Sequence, residues 1–132
     1  MSHLAALTRE DLQQLVRAPW GLGGAPDCVS LVHWVYERLG HPLPKDYIRF
    51  LESFRRIPSA HARLFDLVAM SIRFPFADHV GIMLDEREFI HVPRGEHVTL
   101  GRVTDLTWSR VIVGYLRHKE YGHVVPPFPS AS

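Results

Sequence analysis

His79-Val80-Gly81-Ile82-Met83-Leu84-Asp85-Glu86-Arg87-Glu88-Phe89-Ile90-His91-Val92 reads as two short strands joined by a tight, charged turn. β-branched and aromatic residues stand on either side of Asp85-Glu86-Arg87, the mark of an antiparallel hairpin. With an odd loop centred on Glu86, Ile82 faces Ile90 and Val80 faces Val92, so Val80, Ile82, Leu84, Ile90 and Val92 share one apolar face. The other face then carries His79, Gly81, Met83, Phe89 and His91. In that register His91 stands opposite Gly81 and one diagonal step from His79, about 7 to 8 Å, a gap that two imidazoles can bridge. Gly81 is expected to leave room for the contact. An even loop would send the two histidines to opposite faces.

Further short β-like runs surround the hairpin, giving expected strands at 64–70, 79–84, 88–92, 98–100 and 111–117. Upstream the pattern is helical. Thr8 can cap a helix with Glu10 and Asp11 in its first turn and Leu12, Leu15 and Val16 on its apolar side, ending before Pro19. Asp27 can cap a second helix that begins at Cys28 and runs to Leu39, with Gly40 as its stop. By helical spacing Cys28, Leu31, Val32, Val35 and Leu39 lie on its core side. Tyr47, Phe50, Leu51 and Phe54 indicate a third, shorter helix, and 55–63 reads as loop. Helices followed by strands indicate an α+β domain, N-terminal helices packed on a central antiparallel sheet.

Composition narrows the function. The 132 residues are 46% hydrophobic and 22% charged, which fits one soluble domain with a single core. We expect that domain over 1–123 and a Pro-rich tail over 124–132. A net charge of +1, with no basic cluster interleaved with aromatics, argues against nucleic acid. No apolar run approaches the roughly 20 residues of a membrane span, and the N-terminus lacks the pattern of a signal peptide. The expected place of synthesis is the cytoplasm.

Cys28 is the single cysteine, so it cannot form an intramolecular disulfide. It follows a loop rich in Gly and Pro (Gly21-Leu22-Gly23-Gly24-Ala25-Pro26) at an expected helix start, where unpaired N–H groups and the macrodipole favour a thiolate. Thiol chemistry needs a nucleophile, a base within hydrogen-bond reach, and a polar group that orients the base. Cys28, His79 and His91 have the residue types for these parts. Nine histidines in 132 residues make such a pair unsurprising, and an inert core cysteine is the competing reading.

The order Pro19-Trp20-Gly21-Leu22-Gly23-Gly24, Asp27-Cys28-Val29-Ser30-Leu31-Val32, Phe65-Asp66-Leu67-Val68, His79-Val80-Gly81-Ile82-Met83-Leu84 and Phe89-Ile90-His91 resembles the NlpC-type cysteine peptidases. Trp108 and Val113-Gly114-Tyr115 resemble that family's closing strand. The resemblance implies a papain-like α+β fold and cleavage of peptidoglycan stem peptides, often between D-glutamate and the diamino acid. It implies Cys28 as nucleophile, His79 as general base and His91 as the orienting residue, with no cofactor and no metal. Trp20, Gly24 and Asp27 would border the substrate or the oxyanion, and the N–H of Cys28 would serve as an oxyanion donor. The short form is similar to versions carried by phage tails and related injection particles, with tail-tip or hub proteins as partners. Four places depart from the family, one of them the short Gly24-Ala25-Pro26-Asp27 link. Trp20 stands where Tyr is usual, and its indole N–H donates but cannot accept. Val29 and Ser30 replace Ser-Gly, and Phe65 replaces the usual Gly before Asp66.

Asp66 and Asp78 read as structural or solvated, Asp78 with a further option of tuning His79. Arg55, Arg56, Arg63, Arg73 and Arg94 read as solvated surface, with steering of an acidic peptide as the alternative. His33, His41, His61, His97, His118 and His123 receive no role. Rival readings are a non-catalytic tail-tip module, an amidase or acyltransferase on the same fold, and a metal site using His79, His91 and Asp78 or Glu96. No His-Glu-x-x-His or paired-cysteine spacing supports the last. At pH 6 an ordinary thiol is almost wholly protonated. Iodoacetamide at that pH is therefore expected to label Cys28 quickly in the folded chain and at least about tenfold more slowly after His79→Ala; equal rates would remove the thiolate–imidazolium pair.

Overall fold

Thr8 opens the first helix. Its hydroxyl accepts the N–H of Asp11 at 3.1 Å while the Asp11 carboxylate accepts the N–H of Thr8 at 2.8 Å, a reciprocal capping box. In the computed structural model, which describes residues 7–17, 28–72, 77–93 and 97–120, this helix α1 spans Arg9–Gln13. It stops earlier than the sequence pattern indicates. Arg17 adopts a left-handed φ of 79° and gives its N–H to the Val98 carbonyl at 2.8 Å, which draws the chain out of the helix. Helix α2 spans Cys28–Arg38 and α3 spans Tyr47–Glu52. Gly40 ends α2 as expected, with φ 86° and the paired bonds Gly40 N–H to Glu37 O and His41 N–H to Tyr36 O of a Schellman turn.

Strands β1 (Phe54–Ile57), β2 (Leu67–Met70), β3 (His79–Met83), β4 (Glu88–His91), β5 (Thr99–Arg102) and β6 (Ile112–His118) form one sheet in the order β1-β6-β2-β3-β4-β5, every pairing antiparallel. Two segments differ from the sequence reading. Residues 55–63, expected as loop, contain β1 and a 3-10 turn at Ser59–His61, and Phe54 opens β1 instead of extending α3. Adjacent Arg55 and Arg56 break the alternation that marks a strand, and pairing with β6 overrides it. A short helix α4, Leu106–Ser109, precedes β6, and Trp108 sits on it and not on the closing strand.

The hairpin has the odd loop. Ile82 pairs with Ile90 and Met83 with Phe89, and Leu84 N–H bonds the Glu88 carbonyl, leaving Asp85, Glu86 and Arg87 as a three-residue turn. Asp85 Oδ1 closes it by accepting the N–H groups of Arg87 and Glu88 at 2.7 and 2.8 Å. Arg9 reaches across from α1 to Glu88 at 2.7 Å and Asp85 at 3.2 Å. The sheet consequently has two distinct faces. Leu67, Ile82, Leu84, Ile90 and Val92 pack under the helices with Leu12, Leu31, Val32 and Val35, while Val68, Met70, Met83 and Phe89 form a second cluster with Ala62. The space at Gly81 belongs to Phe89, not to the histidines. A Cβ there would lie 2.8 Å from the Phe89 ring, and one on Gly101 would lie 2.7 Å from it, so the ring spreads over both neighbouring strands.

Phe65 has φ 77°. That left-handed conformation costs a non-glycine residue about 1–2 kcal/mol. Its ring is buried, its N–H bonds Met83 O at 2.9 Å, and its carbonyl accepts the Tyr36 hydroxyl at 2.6 Å. Burial of the ring offsets the strain. No helix among the described residues is long and apolar enough to cross a membrane. The tail expected at 124–132 lies outside the described residues.

Asp66 has the structural role the sequence favours. It is buried, pairs with Arg117 through both oxygens at 3.0 and 2.8 Å, and accepts the N–H of Arg63. Arg117→Met leaves that carboxylate buried without its counter-charge and is expected to cost about 3 kcal/mol in urea unfolding. Asp66→Asn, which frees an arginine able to turn to water, is expected to cost less.

Candidate active site

Cys28 is the first residue of α2 and lies on the face that the helix turns to the sheet, together with Leu31, Val32, Val35 and Leu39, all buried. This is the arrangement the helical spacing indicates. Asp27, expected as the cap, lies outside the described residues, as do Trp20 and Gly24. His79 is the first residue of β3, the strand on which α2 packs. Cys28, His79 and Asp78 line one cavity of 290 Å³, walled by Tyr47, Phe50 and Leu51 of α3 and by Ala69 and Val80 of the sheet.

Standing at the end of its strand, His79 borders this cavity and also reaches His91. Its Nε2 lies 2.8 Å from His91 Nδ1, with the rings 5.1 Å apart and nearly perpendicular. The odd loop is what makes this contact possible. His91 has no exposed surface and is enclosed by Phe89 at 4.9 Å and Trp108 at 4.5 Å between ring centroids. No signal in the sequence marks the Trp108 contact, because it joins a short helix to a strand across the second core cluster.

Burial decides the charge of the pair. It pushes His91 down to about 3, helped by the neighbouring His79, and it also lowers His79, against which the Asp78 charge acts. Asp78 is held in place by its own bonds, its N–H to Met70 O at 2.9 Å and its Oδ1 from Ile72 N–H at 2.7 Å. The option that Asp78 tunes His79 therefore has a physical basis. Of the arginines considered for steering, Arg56 is tied to the Val113 carbonyl at 2.9 Å, and neither it nor Arg55 nor Arg63 lines the cavity. Arg73, Arg94 and Glu96 lie outside the described residues. Among the described residues, no group of three or more His, Cys, Asp or Glu is placed to hold a metal ion. His118 differs from its sequence reading, being buried at the end of β6 and stacked on Tyr36 at 5.4 Å.

Lowered histidine values make stability depend on pH with a definite sign. The unfolded chain binds protons at the ordinary value of 6.5 while folded His91 resists them down to about 3, so this contribution is complete above pH 6.5 and is lost as pH falls below it. Each pH unit in that window costs up to about 1.4 kcal/mol per histidine. Between pH 7 and 5, His91 alone is expected to reduce the unfolding free energy by about 2 kcal/mol. Urea titrations at the two pH values should show a smaller drop in His91→Gln than in the parent; equal drops would show that His91 does not resist protonation.

Comparisons with known proteins bear on this arrangement. The sequence model of the NlpC/P60 family matches residues 17–117. Among solved structures, a protein of Staphylococcus aureus subsp. aureus Mu50, described as similar to lipoprotein and of the NLP/P60 family, superposes with a TM-score of 0.68 at 21% identity, over 89% of this chain and 42% of its own. An NlpC/P60 family protein of Bacillus cereus ATCC 10987 superposes with a TM-score of 0.68 at 19% identity, over 85% of this chain and 40% of its own. The chain thus spans about two fifths of the length of each of these proteins, and at these identities the likeness is one of fold. No curated protein matches the chain. The family match covers most of the sequence, including the helix that begins at Cys28 and the hairpin that carries both histidines, and the chain belongs to the NlpC/P60 family, in general a family of cell-wall cysteine peptidases.

Proposed function

We propose that this chain is a cell-wall hydrolase that cleaves peptidoglycan stem peptides through a thioester on Cys28, with the bond between D-glutamate and the diamino acid as the preferred target. The observation that carries the reading is the shared cavity: Cys28 at a helix start and His79 at a strand start border one space, and His91 engages the far nitrogen of His79. With Nε2 of His79 occupied by His91, Nδ1 is the nitrogen left to serve the sulfur. The thiolate attacks the amide carbonyl and the carbon–nitrogen bond breaks as imidazolium His79 gives its proton to the leaving amine. Water, deprotonated by the same ring, then releases the acyl group. The N–H of Cys28, at the start of α2, is an oxyanion donor in this scheme.

Neutral His91 suits the orienting role. A third residue that carried positive charge would oppose the imidazolium on which the thiolate depends; a neutral ring can accept the Nε2–H of His79 at no such cost. Membership of the family supports a wall substrate. A setting in a phage tail or phage-derived injection particle is part of the proposal and is supported by the sequence likeness to the short forms alone. The domain limits of 1–123, with a separate tail, are likewise proposed.

Purified peptidoglycan incubated with the parent chain is expected to release stem-peptide fragments whose masses report the bond cut. Cys28→Ala should reduce release by at least about a thousandfold. Release that survives the substitution would exclude the thioester route. No release from either chain would favour a non-catalytic tail-tip module.

A further inference from the structure

The contact between His79 Nε2 and His91 Nδ1 holds a single proton when both rings are neutral, and its owner decides what His79 can do. If His79 donates from Nε2, its Nδ1 keeps a free lone pair and can take a proton from Cys28. If His91 donates from Nδ1, the proton of His79 already sits on Nδ1 and the base is blocked. The pair does not itself make the choice.

The deciding atom is on the other side of His91. Its Nε2 is buried and has no hydrogen-bond partner among the described residues. Trp108 stands against this ring, 4.5 Å between centroids and at 87° between planes. So close a perpendicular approach suits the narrow imidazole rim over the broad indole face better than the reverse. An aromatic face is negative, so it attracts a ring N–H and repels a bare nitrogen lone pair. We infer that Trp108 is a positioning residue whose indole face receives the Nε2–H of His91, holding His91 in the tautomer whose Nδ1 accepts and thereby obliging His79 to present an unprotonated Nδ1 toward Cys28.

The surroundings keep this geometry. Trp108 is anchored on α4 by its N–H to Asp105 O at 3.1 Å and by its carbonyl accepting Val111 N–H at 2.9 Å. At right angles to this contact Phe89, whose ring spreads over Gly81 and Gly101, lies 4.9 Å from His91 and 6.3 Å from Trp108. His91 therefore has little room to swing away. Its neutrality, a consequence of burial, restricts it to one proton.

The consequence for catalysis rests on the function proposed above, but the tautomer can be read independently of it. Cys28→Ala removes the thiolate that would charge His79 and isolates the neutral pair. Two-bond proton–nitrogen spectra of that full-length chain, labelled with 15N-histidine at pH 7.5, should show His91 with a protonated Nε2 and an unprotonated Nδ1. Adding Trp108→Leu should raise the share of the opposite tautomer about fivefold, and adding Trp108→Phe, which keeps an aromatic face, should restore most of the original balance. In the chain that retains Cys28, Trp108→Leu should slow iodoacetamide labelling by a similar factor while Trp108→Phe recovers it. A protonated Nδ1 on His91 with Trp108 in place overturns the inference, whether or not the leucine variant folds. An unchanged tautomer balance in a folded Trp108→Leu chain overturns it too. Failure to release peptides from peptidoglycan would remove the proposed substrate and leave these spectra unaffected.

Discussion

The carboxylate of Asp85 is the smallest element on which the site depends. By accepting two backbone N–H groups it closes a three-residue turn, and the odd count puts His79 and His91 on one face of β3 and β4. Side chains alternate strictly along a strand, so one residue more or less in this loop would separate the histidines by the thickness of the sheet. The same count places Ile82, Leu84, Ile90 and Val92 beneath the helices, so the hydrophobic core and the histidine pair enforce one register together. Arg9 adds a link from α1 to the turn through Asp85 and Glu88.

From that register the chemistry of the site follows by burial. His91 lies against Phe89 and Trp108 of the second core cluster, where desolvation keeps it neutral, while His79 sits at the strand end beside the cavity and the Asp78 charge. The two rings thus differ through their surroundings alone. In the proposed mechanism a base needs access to the reacting atoms and a supporting ring needs protection from water, and one hydrogen bond joins a ring at the cavity to a ring with no exposed surface. Phe89 makes this possible by occupying the space that two glycines on neighbouring strands leave open.

The departures from the family pattern have different physical weights. Phe65 carries the left-handed backbone that a glycine would adopt freely, and its buried ring and the Tyr36 hydroxyl hold it there. The fold absorbs that change. The cavity walls from α3 and the sheet are largely apolar, Tyr47, Phe50, Leu51, Ala69 and Val80, with Asp78 as the charged group on its border among the described residues. The proposed substrate would cover this apolar wall beside the sulfur and displace water from it, which would strengthen the electrostatic interactions on which the proposed thiolate depends.

Much of this was legible in the residue order because it rests on local rules. Thr8 with Asp11, Gly40 after α2, the core face through Cys28, Leu31, Val32 and Val35, and the existence of the hairpin around Asp85-Glu86-Arg87 each follow from capping, helical spacing or strand alternation. The strand at Phe54–Ile57 and the helix at Leu106–Ser109 were not legible. The first exists because β6 pairs with it against its own charge pattern, and the second is a single turn with no amphipathic repeat to mark it. By itself, then, the sequence determined the α+β order and the core face of the helix through Cys28, Leu31, Val32 and Val35, since neighbours in the chain control those features, while the odd hairpin loop that puts His79 and His91 on one face was one of two parities it allowed. Only the tertiary structure decided that Cys28 and His79 border one cavity, that His91 is neutral and that Trp108 stands against it, because each depends on packing between residues far apart in the chain.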